Sequence, residues 1–123
     1  MAFSQVFSQN LTCADFHNGT FLIPADSLIS ESYTVVRKEN QQIEYDKQGL
    51  KSLVDIEFID DCNYIMKANP KLEKFDAMAK YINDSGGVKV SVLEIRNDTL
   101  FYTGLLENDS IRYEQPGVMI KLK

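Results

Sequence analysis

The stretch Gln42–Met66, QIEYDKQGLKSLVDIEFIDDCNYIM, decides how this chain folds. Val54, Ile56 and Phe58 alternate with Asp55 and Glu57, the period of a strand with one buried and one wet face. Asp60-Asp61 breaks that run, and Cys62 to Met66 resumes it in the return direction. Upstream, Gln42 to Tyr45 is a third strand, joined through Asp46-Lys47-Gln48-Gly49, which has the length and the glycine of a four-residue hairpin loop. Strands linked this tightly run antiparallel, because a parallel crossover needs a dozen or more residues.

The same pattern extends in both directions. Asn18-Gly19 precedes a strand containing Phe21 and Ile23. Tyr33 to Lys38 is the next, turned by Glu39-Asn40-Gln41 into the third. After Met66 the period changes. Asn69 reads as a helix cap and Pro70 as a first helical position, and Leu72, Phe75, Met78, Ala79 and Ile82 recur at helical spacing, so the expectation is one helix over 70–83, its apolar stripe on the sheet. Asn83 to Gly87 ends it. Val88, Val90 and Val92 share a strand face until the phase slips at Leu93-Glu94-Ile95, the signature of a β-bulge. Leu100 to Leu106 follows, then a last strand from Ile111 to Leu122 in which Pro116-Gly117 implies an edge or a break.

About eight strands in a meander, with a helix after the fifth, predict a mostly β fold: an up-and-down barrel of lipocalin-like outline. Closure of such a meander removes its exposed edges. Residues 1–12 read as a tail and 13–123 as one domain, a length that suits a single core. The expected inward faces carry Tyr33, Val35, Ile43, Tyr45, Val54, Ile56, Phe58, Tyr64, Val90, Tyr102 and Tyr113. Of these Tyr33, Tyr45, Phe58, Tyr64, Tyr102 and Tyr113 are the candidates to line a ligand cavity, should the barrel enclose one.

Composition narrows the function classes. A formal charge of −5 with scattered Lys and Arg argues against a nucleic-acid partner, which demands clustered cations. No apolar run is long enough for a membrane span. His17 stands beside the Asn18-Gly19 turn with no nucleophile or carboxylate patterned against it, which reads as an exposed loop residue. The paired acids at Asp60-Asp61 and at Glu107 and Asp109 read as turn chemistry, with no EF-hand spacing, and no cofactor or metal motif is present. Asp26-Ser27-Leu28, Asp98-Thr99-Leu100 and Asp109-Ser110-Ile111 resemble a bacterial O-glycosylation sequon, and these residue types are also ordinary turn formers. Cys13 and Cys62 lack the companions of a zinc site. They form a disulfide if the protein is exported, or remain two buried thiols in a reducing compartment. Ala2-Phe3-Ser4-Gln5 looks like the end of a secretory signal whose apolar part lay upstream.

One combination of residues goes further. Cys13-x-x-Phe16-x-x-Gly19-x-Phe21, Val35-Val36-Arg37, Gln42-Ile43-Glu44 and Ile56-x-Phe58-Ile59-x-Asp61-Cys62-x-Tyr64 resemble a group of small exported bacterial β proteins of unknown function, many labelled as a DNA topoisomerase IV subunit. The likeness covers mainly the first half of the chain, and where this chain has Phe58 the group usually has Trp. It implies that Cys13 and Cys62 are paired and that the protein works outside the cytoplasm. It supplies no catalytic residues. The topoisomerase label fails physically, since strand passage needs a large basic DNA surface that this acidic chain lacks. The expectation is therefore a non-enzymatic, exported domain that takes a small apolar ligand, or else an interaction or inhibitor-like module with an envelope protein as partner. A hydrolase built on His17 or on a carboxylate pair is the alternative from another class.

Overall fold

A computed structural model describes residues 11–27, 31–45, 48–49, 51–71 and 75–122. Within them the meander closes on itself. Strands β1 (Gly19–Ile23), β2 (Tyr33–Lys38), β3 (Gln41–Tyr45), β4 (Lys51–Asp60), β5 (Asn63–Ala68), β6 (Val88–Arg96), β7 (Thr99–Glu107) and β8 (Arg112–Lys121) follow one another antiparallel around a closed barrel. The seam joins β1 to β8 at Phe21↔Lys121 and Leu22↔Ile120.

The two ends of the barrel differ in their connections. At one end lie the tight turns 39–40, 61–62 and 97–98. Glu39 and Asn40 both adopt positive φ, 54° and 64°, the conformation a two-residue hairpin turn requires. A 3-10 turn, Cys13–Phe16, plugs this end, and its Phe16 stacks on Phe21 with ring centroids 5.5 Å apart. Phe16, Phe21, Ile23, Val35, Leu100 and Met119 form a packed core behind the plug. Cys13 is bonded to Cys62 in the β4–β5 turn, Cα atoms 5.2 Å apart, so the plug is tied covalently to the rim it covers. In the chain-entropy account, closing a loop of 49 residues stabilises the fold by about 4 kcal/mol.

The longer connections, including the helix α1 (Ala77–Asp84), gather at the other end. The helix begins later than the spacing predicts. Its cap is Asp76, whose Oδ1 accepts from the Ala79 amide at 2.9 Å. Asn69 is not the cap because its backbone N–H still donates to Leu53 as an extension of β5, while its side chain donates to Asp55 and accepts from the Lys71 amide. Residues 72–74, which carry the Leu72 position of the expected stripe, lie outside the described residues. The stripe is not buried against the sheet either: α1 has no fully buried residue, and Met78 is 64 % exposed. Two asparagines hold the helix: Asn83 donates to the carbonyl of Ala68 and accepts from its amide, at 2.8 and 2.9 Å, as a strand residue would, and Asn108 donates to the Tyr81 hydroxyl at 2.8 Å.

Two register details match the sequence reading. β6 slips against β7 between Val92 and Glu94, leaving Leu93 outside the ladder and 66 % exposed. β8 runs unbroken through Pro116, and there it pairs with β7 alone, since β1 reaches only residues 120–121. Proline costs that stretch no ladder bond on its open side. A third detail is a correction. Arg37 pairs with Gln42, and Val35 with Glu44, so β3 turns Gln42 and Glu44 inward and Ile43 and Tyr45 outward. The turn is two residues, 39–40, rather than the three read as Glu39-Asn40-Gln41, and a one-residue slip exchanges the faces of a strand.

Candidate functional site

The barrel interior is filled at the plugged end and open at the helix end. Because β1 stops at Ile23 before Pro24 while β7 and β8 run on, the outer half of the β7–β8 hairpin projects past its neighbour. Helix α1 faces it. Between them lies a groove of about 910 Å³ walled by Met78, Tyr81, Ile82, Leu106, Ile111 and Tyr113. That volume is within the range of about 300–1,000 Å³ typical of small-molecule sites. Ile82, Val88, Tyr102 and Gly104 also border a chamber of about 270 Å³ inside the barrel, so groove and chamber adjoin across these four residues.

Two glycines shape this shared wall. The Tyr102 ring lies against the backbone of Gly117, where a methyl group would fall on the ring. At Gly104 an added Cβ would stand 3.3 Å from Val88 Cγ1 and begin to fill the junction.

The chamber is polar at its floor. The buried Arg37 donates from Nε to Gln42 Oε1 at 2.8 Å, from Nη1 to the Phe16 carbonyl at 3.0 Å and from Nη2 to the Tyr64 hydroxyl at 2.8 Å. Gln42 in turn donates to Glu44 Oε2 at 2.7 Å. Burial raises the pKa of Glu44 above the ordinary carboxylate value, against the hydrogen bond from Gln42 and the charge of Arg37, which hold it down. Burial likewise pushes the Tyr33 phenol far up and that of Tyr102 to about 12. Both are neutral hydroxyls at any physiological pH. Among the described residues no buried side-chain nitrogen or oxygen lacks a hydrogen-bond partner.

Of the six candidate lining residues, Tyr33, Tyr64 and Tyr102 border the chamber. Tyr113 borders the groove at its rim, 56 % exposed, its hydroxyl donating to Gln115. Phe58 instead packs beside Tyr64 and stacks on His17, 3.8 Å between centroids, toward the plugged end. Tyr45 borders neither volume, for the register reason given above. His17 is not a free loop residue: it is half-buried on Phe58, and its Nε2 lies 2.8 Å from the Asp61 carbonyl, an acceptor only, so that nitrogen carries the proton. The inward polar set, Arg37, Gln42 and Glu44, escaped the sequence reading, which sought apolar residues on the inner faces. The turn pair Glu39-Asn40 was the signal that could have found it.

Among the described residues no group of three or more His, Cys, Asp or Glu is placed to hold a metal ion, and no helix is long and apolar enough to cross a membrane. Of the acids expected to serve turns, Asp60 accepts from the Cys62 amide and from Asn63, whereas Glu107 is a strand residue that pairs with Arg112 across β7 and β8. Compared with protein-family models, curated proteins and solved structures, the chain finds no match in any of the three.

Proposed function

We propose that this protein is an exported, non-enzymatic barrel that binds a small apolar ligand at its helix end. The observation that carries this reading is the apolar groove of about 910 Å³ adjoining the inner chamber at Tyr102 and Gly104. A monomeric surface has little reason to leave Met78, Tyr81 and Tyr113 together in the open unless something covers them. Export is supported by the Cys13–Cys62 bond, since structural disulfides persist in oxidising compartments, and by the resemblance to small exported β proteins.

Titration with an environment-sensitive apolar fluorophore tests the reading. Saturable binding to the wild type, weakened at least about tenfold in Gly104→Leu, is expected, because the added side chain occupies the junction. Absence of saturable binding contradicts it. The exposed rim also favours a second reading, in which the same face docks an envelope protein. In that case the fluorophore is displaced by a protein partner, and Met78→Glu abolishes the displacement.

A further inference from the structure

The chamber floor indicates what kind of head group an apolar ligand would carry, an inference that rests on the ligand-binding reading above. Arg37 is buried with neutral acceptors on every hydrogen bond it makes among the described residues: an amide, a carbonyl and a phenol. A guanidinium in that position is costly unless an anion balances it. Glu44, joined to it through Gln42, is that anion. The pair leaves the floor electrically balanced. At the chamber's margin the exposed Asp26 and Lys67 again contribute one charge of each sign.

Three oxygens remain for a guest. Glu44 uses Oε2 for Gln42, and among the described residues its Oε1 and the hydroxyls of Tyr33 and Tyr102 have no hydrogen-bond partner. None is a buried unsatisfied atom, so each keeps some accessible surface on residues that line the chamber. Two can donate or accept and the third only accepts. A carboxylate head would meet Glu44 at close quarters with the nearby cation already balanced. An ammonium head would take Glu44 away from Arg37.

We propose that the ligand is an uncharged amphiphile whose hydroxyl head sits among Glu44, Tyr33 and Tyr102 while its apolar body lies in the groove between α1 and the β7–β8 hairpin. The head donates to Glu44 and accepts from a tyrosine. The site discriminates against fatty carboxylates by leaving them no unbalanced cation.

The test is displacement of the bound fluorophore from the full chain by dodecanol, dodecanoate and dodecylamine at pH 7.5, each below its aggregation concentration. Dodecanol displacing at a concentration at least about tenfold below the other two is expected, a difference of about 1.4 kcal/mol. In Tyr102→Phe, which removes one hydroxyl, that preference shrinks at least about threefold, and in Glu44→Gln dodecanoate gains on dodecanol. Either variant suffices if the other does not fold. A fluorophore that binds while dodecanoate or dodecylamine competes as well as dodecanol overturns this assignment and leaves the pocket reading standing. A fluorophore that does not bind overturns both.

Discussion

The two ends of the barrel use aromatic residues in opposite ways. At the plugged end Phe16 and Phe21 are at most 1 % exposed, stacked on one another and sealed by a disulfide. At the helix end Tyr102 and Tyr113 border open volume, and the helix above them buries none of its residues fully. The contrast teaches that packing is concentrated at one end of the barrel, which leaves the other free for the recognition proposed above. One end supplies the packed core, and the other is left unfinished because β7 and β8 outrun β1.

If the division is real, perturbing the plugged end should cost stability and spare binding. Reducing the disulfide, or replacing Cys13 and Cys62 by Ser, is expected to lower stability by about 4 kcal/mol, read as a fall in the thermal midpoint with and without reductant. Phe16→Ala should cost about 3–4 kcal/mol by leaving a cavity where the ring is 1 % exposed. Equal costs at Tyr102→Ala would break the comparison. At the helix end, Asn83→Ala should cost only about 1–2 kcal/mol, because it removes the two bonds from α1 to Ala68 and leaves those of Asn108 in place. It should accelerate amide exchange in α1 while leaving β1 and β2 protected.

How much of this was legible beforehand depends on which face a residue serves. The alternation of Val54, Ile56 and Phe58, the slip at Leu93 and the helix after the fifth strand all follow from local pattern, and the barrel follows from them. The inward set of β3 did not, because period-2 reading identifies the inner face by its hydrophobicity, and here the inner face carries Gln42 and Glu44. The groove was equally hidden. It arises from a difference in strand length between β1 and β8, a property of two segments far apart in the chain.

The smallest expected effect is on pH dependence. The folded-state value of Glu44 lies above the 4.5 of the unfolded chain, so the folded protein holds a proton that the unfolded chain has released. Its contribution is therefore fully present below pH 4.5 and is lost as pH rises through the folded value. Asp60 acts in the opposite sense, its value lowered by Asn63 and Cys62, so its contribution is lost as pH falls below 3.8. Thermal midpoints measured against pH should show the upper slope in the wild type and not in Glu44→Gln. The same slope in both would remove Glu44 as its source.

The most direct measurement is an amide chemical-shift map of the labelled protein titrated with dodecanol. Shifts concentrated at Ile82, Val88, Tyr102, Gly104 and Leu106, with Phe16, Phe21 and Leu100 unmoved, are the predicted result. Shifts spread over the plugged end, or confined to the outward Ile59 and Leu93 near the tight turns, would contradict a ligand site at the helix end.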